Sequence, residues 1–371
     1  MRGVDSSRNM ISADQAAALG VEVPVGSIDG ELRKLWEADE ASTNASLMNL
    51  ALYSEDPGSL TRNSEAALQL TKEHACRALL IAMDREAPET SIRSWITAHC
   101  HLAHGKKSVC CEQLAFLLSG KAVGRLRNTV FAHMASDLPL VFWWQGELSN
   151  IFEERLYRMI DRLIVDSSTW VDPLVGFERL GEAVSDARHR MVLQDLSWTR
   201  TFHFRLSLAA LFDDLVAQRA LKEVETVRIV AQSKHRISAL MLLGWLVTQA
   251  EWRMGLELGL AAERAAGCDE CFVFETREGR SVTARIEFDE EAAPLGLLEL
   301  NAPGCLVSVQ REAGSIYLQQ RLECPGHKLS QSGPADADTD WEVVADQLSR
   351  GGKNSLFEKV CPAFLDLLRA R

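Results

Sequence analysis

The stretch LPLVFWW, Leu138–Trp144, decides how the first half of the chain is read. It is too short for an ordinary helix, and its nearly unbroken apolar character shows no alternation of inside and outside. That pattern predicts a strand buried on both faces, as in a parallel sheet covered by helices. Working outward, ALLIAM (Ala78–Met83), RLIVD (Arg162–Asp166) and VETVRIVA (Val224–Ala231) have the same character. So does LMNLALY (Leu47–Tyr53), which ends in the turn signal Ser54-Glu55-Asp56-Pro57-Gly58. Helical spacing fills the intervals: Thr61–Arg77, Arg125–Ser136, Glu153–Ile160, Leu174–Val184, Thr199–Ala220 and Ile237–Trp252. Ile92–Ala103 and Val109–Leu118 flank a Gly-Lys-Lys loop and predict an antiparallel hairpin. Buried strands alternating with helices define an α/β fold, a doubly wound, mostly parallel sheet, expected over residues 41–255. Residues 1–40 are expected to be an N-terminal extension with a short helix carrying Leu32, Leu35 and Trp36 on one face.

After Gly255 the texture changes. Cys271–Glu290 alternates apolar and polar residues around Glu278-Gly279, and Cys305–Glu323 repeats the pattern around Ala313-Gly314. Both predict hairpins. Ser330–Asp340 reads as a polar loop, and Leu348–Leu368 as a closing helix with Phe357, Val360, Phe364 and Leu367 in register. Residues 256–371 are therefore expected to form a smaller, mainly antiparallel β unit ending in helices.

The chain has 371 residues, of which 47% are hydrophobic and 25% charged, an ordinary globular balance long enough to bury a core. Forty Lys and Arg against fifty-two Asp and Glu give a net charge of −12, which repels phosphate backbones and argues against a nucleic-acid partner. The longest apolar run, Ala239–Val247, is far below the roughly 18 residues of a membrane span, so no membrane role is expected. The opening sequence has no signal-peptide core, and nine cysteines spread from Cys76 to Cys361 do not form a secreted disulfide framework. A reducing cytoplasm is the expected setting.

The familiar catalytic signatures are missing. Gly105-Lys106-Lys107-Ser108 resembles the tail of a P-loop, but Cys100 stands where its first glycine must be. The first strand exits through Asp56-Pro57-Gly58-Ser59, with no glycine cradle for a dinucleotide, and there is no GxSxG or HExxH. Neither a catalytic residue nor a cofactor is assigned. His99, His101 and Cys110 form a weak metal candidate, set against the plainer reading of a half-buried hairpin with cysteines turned inward. Cys268-x-x-Cys271 has redox or zinc spacing but no second pair to complete a site.

Two stretches are candidates for binding. Trp143, Trp144 and Gln145 close a strand whose end opens on the crevice of an α/β sheet. Asp195-Leu-Ser-Trp198-Thr-Arg200, followed by Arg205, is the densest polar–aromatic group in the chain. Asp195 suits the positive end of a helix, whereas the arginines sit against that dipole. They require either carboxylates, with Asp161, Asp166 or Asp195 available, or an anionic ligand.

In order, Ser42–Leu50 (STNASLMNL), SDLPLVFWW (Ser136–Trp144), DRLIVDSSTWVDP (Asp161–Pro173), DLSWTRTFHFR (Asp195–Arg205) and ALMLLGWLVTQAEW (Ala239–Trp252) resemble the OpcA family. These are bacterial assembly or activator proteins of glucose-6-phosphate dehydrogenase. The resemblance runs from about residue 42 to 252, and the C-terminal third matches it only in character. One departure is Phe202-His203-Phe204-Arg205, where the family often reads Thr-Pro-Trp-Arg. The resemblance implies a cytoplasmic, non-enzymatic protein that binds glucose-6-phosphate dehydrogenase, promotes its active oligomer and so supports the oxidative pentose phosphate pathway and NADPH supply. Interfaces favour Trp and Arg, so the exposed contact surface is expected around Trp143, Trp144, Gln145, Asp195, Trp198, Arg200 and Arg205. The alternative is a sugar-phosphate- or nucleotide-binding enzyme or sensor with Arg200 and Arg205 on the anion.

Overall fold

A computed structural model describes residues 18–37, 42–44, 46–103, 107–187, 191–255, 269–352 and 354–370. The chain divides into two compact units. The first comprises Met1–Val165, Arg179–Leu193 and Val344–Gly351, and the second Asp166–Glu178, Gln194–Val343 and Gly352–Arg371.

The first unit is built on a sheet of order β1-β5-β6-β4-β3-β7-β8-β9 with β2 beside β6. Its strands are β1 (Val21–Glu22), β2 (Ser42–Asn44), β3 (Asn49–Ser54), β4 (Arg77–Asp84), β5 (Ser91–Ala103), β6 (Lys107–Ser119), β7 (Leu140–Gln145), β8 (Arg162–Val165) and β9 (Val192–Asp195). The run β6-β4-β3-β7-β8 is parallel throughout. β5 returns antiparallel to β6, giving the expected hairpin, whose tip at 104–106 lies outside the described residues. The apolar runs are explained by burial on both faces: Leu50–Tyr53, Ala78–Met83 and Phe142 and Trp144 of β7 are at most 1% exposed. Helix α1 (Ile28–Glu37) turns Ile28 and Leu32 inward, and α2 (Ser59–Leu70) connects β3 to β4. The expected helices at 125–136 and 153–160 shrink to single turns at Leu126–Thr129 and Glu154–Tyr157.

The second unit carries an eight-stranded sheet of order β11-β12-β13-β10-β14-β15-β16-β17. Its strands are β10 (Thr226–Ala231), β11 (Arg253–Met254), β12 (Glu270–Glu275), β13 (Ser281–Phe288), β14 (Leu295–Ala302), β15 (Cys305–Gln310), β16 (Tyr317–Cys324) and β17 (His327–Pro334). Every pairing is antiparallel except β10 with β13. Val227, Ile229, Val282, Ala284, Ile286, Leu298, Leu300, Val307 and Val309 form the buried side.

Helix α3 (Pro173–Asp186) precedes β9. It is followed by the single turn α4 (Leu196–Thr199), α5 (Phe202–Leu211), α6 (Leu215–Lys222), α7 (Arg236–Ala250), α8 (Asp340–Ser349) and α9 (Ser355–Arg369). From Ile237 to Val247 α7 is buried on every side. It lies so close to α9 that a Cβ at Gly244 would sit 3.2 Å from Phe364 backbone, which is why glycine stands there.

These facts correct three expectations. The boundary near 255 is not where the structure divides, because β10 hydrogen-bonds to β13 and β14 and so belongs to the second sheet. The two units are accordingly nearly equal in length. The long helix over 199–220 is broken at Phe212–Asp214, where Asp214 Oδ1 accepts from Val216 N at 2.7 Å and starts a new helix. The expected loop at 330–340 is half strand: β17 runs to Pro334.

Candidate functional site

In the first unit, β3 leads one way to β4 and β6, and β7 leads the other way to β8. Doubly wound sheets bind ligands at this switch point, beyond the strand ends. Here the space is crossed by side chains. Asn63 of α2 and Gln145 at the end of β7 exchange two amide hydrogen bonds, at 3.1 and 2.8 Å. Arg85 forks onto Glu55 at 2.6 and 2.8 Å and also donates to Ser149 Oγ at 3.2 Å. Tyr53 donates to Glu55 at 2.7 Å and packs on Trp144, with centroids 4.2 Å apart. Trp144 is fully buried and spends its indole N–H on Glu147 O at 2.8 Å; Trp143 is 5% exposed. The tryptophans are therefore core residues, and only half-buried Gln145 reaches the crevice.

The metal candidate is separated by the pleat. Cys100 and Cys110 are directly opposed across β5 and β6 and form a disulfide. His99 and His101 occupy alternate positions facing away from them, His99 Nε2 bonding Gln113 at 2.8 Å and His101 Nε2 meeting Thr71 Oγ1 at 3.1 Å. Burial lowers the pKa of both histidines. Among the described residues no three metal-binding side chains converge. A second cross-strand disulfide joins Cys305 to Cys324, which corrects the expectation of reduced thiols at these four positions. Cys100 is exposed rather than turned inward, and Cys268 lies outside the described residues.

The second unit holds the polar–aromatic group. The chain leaves β9 at Asp195, whose extended backbone and side chain cap α4, Oδ1 accepting from Ser197 N at 2.9 Å. Arg200, one turn later, extends Nη2 between Asp166 Oδ2 at 2.8 Å and Asp340 Oδ1 at 2.7 Å. Asp166 was among the carboxylates anticipated from sequence; Asp340 was not, because nothing local signals a contact across 140 residues. Asp161 instead holds Leu140 N in the first unit. Arg205 Cζ lies over the Trp198 ring, 3.6 Å from its centroid, with Nε donating to Thr201 Oγ1 at 2.9 Å. Alongside, Asp336 accepts from His203 N and meets its Nδ1 at 3.0 Å, and Arg311 forks onto Asp338 at 2.8 and 3.0 Å.

The electrostatics follow from burial. Asp195 is fully buried, and loss of water together with the charge of Asp166 pushes its carboxyl up to about 7. Burial opposes the charge of Asp166 too, but the Arg200 guanidinium outweighs it and holds Asp166 below the usual carboxylate range. Burial and then Arg200 push His235 down to about 4, and burial followed by Asp195 raises Cys361 to about 11. Among the described residues, Asp195 Oδ2, Arg200 Nε and Nη1, and His235 Nδ1 are buried without a hydrogen-bond partner.

This geometry corrects the expected contact surface. Asp195, Trp198, Arg200 and Arg205 are 0, 3, 6 and 8% exposed, so they form an internal corner and not an exposed face. Nor do the two arginines converge on an anion. Arg200 spans two carboxylates while Arg205 is stacked, and the carboxylates of Asp166, Asp336, Asp338 and Asp340 already outnumber the nearby guanidiniums.

The fold and these sites define a two-unit α/β protein whose densest polar constellation is part of its interior. Two family models match it in tandem: the glucose-6-phosphate dehydrogenase subunit N-terminal domain over residues 67–182 and the corresponding C-terminal domain over 191–361. The chain belongs to the OpcA family. The match extends well past residue 252, so the C-terminal third is family sequence too. The putative OxPP cycle protein OpcA of Synechococcus elongatus is 22% identical over 81% of this chain and 70% of its own length. The protein of the same description from Nostoc punctiforme is 27% identical over 44% of this chain. The match spans only 36% of the Nostoc relative and 38% of the one from Synechocystis. Among solved structures, an aldose-aldose oxidoreductase from Caulobacter crescentus is similar over 87% of this chain and 97% of its own, at 11% identity and TM-score 0.46. Among the described residues, no helix is long and apolar enough to cross a membrane.

Proposed function

We propose that this chain binds glucose-6-phosphate dehydrogenase in the cytoplasm, catalyses no reaction itself, and promotes that enzyme's active oligomer. The observation that carries the reading is the tandem match to both domains of a family described as a glucose-6-phosphate dehydrogenase subunit. The sheet supports it as well. The switch point that an α/β enzyme leaves open for its ligand is bridged by Asn63–Gln145 and Glu55–Arg85, and both candidate anion-binding arginines are engaged, Arg200 by Asp166 and Asp340 and Arg205 by the Trp198 ring. An activator shifts its target only as far as it binds the active form more tightly than the inactive one, so the effect resides in a contact surface and needs no reacting group.

The test is the rate of glucose-6-phosphate dehydrogenase from the same organism against substrate concentration, with and without the chain. A lowered half-saturation or raised maximal rate, with no turnover by the chain alone and a complex on size-exclusion chromatography, is the expected result. Coincident curves with no complex would refute the reading.

A further inference from the structure

Arg200 does not spend all of its donors on carboxylates. Its Nη2 bonds both Asp166 and Asp340. A guanidinium is planar, so the two Nη2 hydrogens point along the edges that Nη2 shares with Nε and with Nη1. The outer N–H of Nη1 lies on neither edge. Nη1, like Nε, is buried without a hydrogen-bond partner among the described residues, and so is Nδ1 of His235. Arg200 and His235 are only 6 and 7% exposed, and both line one cavity of the second unit together with Arg311, Asp336 and Asp338. The room there for the centre of a water is about 10 Å3, enough for one water and too little for a ligand of several atoms.

We propose that this cavity is a binding site for a single water, which accepts from Arg200 Nη1 and donates to His235 Nδ1. The charges around it disfavour the other small occupants. An anion would meet Asp336 and Asp338 at the cavity and Asp166 and Asp340 beyond Arg200, four carboxylates against the guanidiniums of Arg200 and Arg311. A cation would meet the N–H groups of those same guanidiniums. Water accepts on one side and donates on the other. Arg200 has only donors, so it fixes the direction: the hydrogens of the water turn to His235 and to the carboxylate side of the cavity. Burial and then Arg200 push His235 down to about 4, so its ring is uncharged at neutral pH and one ring nitrogen accepts. With Nδ1 accepting, the ring proton sits on Nε2. The water thus ties the turn Ser233–His235, from which α7 starts, to the Arg200 corner, and replaces hydrogen bonds to solvent that both groups lose on folding. The site does not depend on the proposed function.

The test uses the full chain, crystallised near pH 7 with bromide as the only halide. A density peak within hydrogen-bond distance of both Arg200 Nη1 and His235 Nδ1, with no anomalous signal at the bromine edge, is the expected result. His235→Phe, which keeps a ring but offers no acceptor, should lose the peak. In solution, nitrogen–proton correlation spectra of the histidine rings should place the His235 proton on Nε2. A wild-type cavity without density, a bromide signal in it, a peak that persists in His235→Phe, or a proton on Nδ1 would each overturn the proposal.

Discussion

Asp195→Asn should flatten the pH dependence of stability. Asp195 is fully buried beside the charge of Asp166, and its carboxyl rises from an ordinary 3.8 to about 7 in the folded chain. A carboxyl whose folded value lies above its unfolded value favours the folded state while protonated. Its contribution is complete below about pH 4 and is lost as the pH rises through 7. One unit of displacement corresponds to about 1.4 kcal/mol, so the loss between pH 5 and 8 comes to about 2–3 kcal/mol. For a unit of this size each kcal/mol moves Tm by roughly 2–4 °C. The wild type's Tm relative to Asp195→Asn should therefore fall by about 5–10 °C across that interval. Neighbouring groups do not set the difference: Asp166 titrates below the window and Cys361 above it at about 11. His235, lowered from 6.5 to about 4, adds a rise in stability with pH up to 6.5 that is common to both proteins and cancels between them. Thermal denaturation followed by circular dichroism at half-unit pH steps reads the difference directly. Parallel Tm curves for the two proteins would show that the carboxyl is already ionised when buried, and the reasoning would fail.

Other substitutions test neighbouring parts of the argument. Arg200→Met should cost about 3–5 kcal/mol in denaturant unfolding, because Asp166 is left as an unpaired buried charge; a loss below 1 kcal/mol would show the pair to be solvated. Gly176→Ala should destabilise by about 1–3 kcal/mol, since the new Cβ would lie 2.4 Å from the buried Trp170 ring; an unchanged unfolding midpoint would refute the tight contact. Glu112→Gln should loosen α1, because Glu112 receives Trp36 Nε1 at 2.6 Å and Arg77 Nε at 2.7 Å. Amide exchange in Ile28–Glu37 should quicken while exchange in β3 and β4 stays as it was.

The first sheet was legible because burial on both faces removes any periodicity, leaving runs such as Ala78–Met83 that need no tertiary knowledge to interpret. The same property made β10 ambiguous. Its apolar pattern signals a strand, but nothing local states that its hydrogen bonds go to β13 and β14 and not to β8. β17 was missed for the opposite reason. It is an edge strand paired only with β16 among the described residues, so its sequence HKLSQSGP carries no inward-facing apolar series. The cap at Asp195 and the pairing of Arg200 with Asp166 were visible in outline, because a buried arginine near a helix start requires a carboxylate. Asp336 and Asp340 were not, since the contacts depend on a strand order that the sequence does not state.

The burial of that corner also changes what a binding experiment can reveal. Trp, Arg and Asp at close spacing have the composition of an interface hot spot, but a charged network excluded from water inside a fold has the same composition. Only exposure separates the two, and Trp198, Arg200 and Arg205 are all below 9%. Replacing the three with alanine would remove the stacked ring under Arg205 and the guanidinium between Asp166 and Asp340, so loss of partner binding would follow from a disordered second unit whether or not the residues touch a partner. A discriminating variant must alter an exposed side chain and leave this network intact. Leu206, on the side of α5 away from the sheet, meets that condition: introducing a charge there adds no buried ion and creates no cavity. A change in association caused by Leu206→Asp is therefore a statement about surface, whereas the same change caused by Arg200→Met is first a statement about folding.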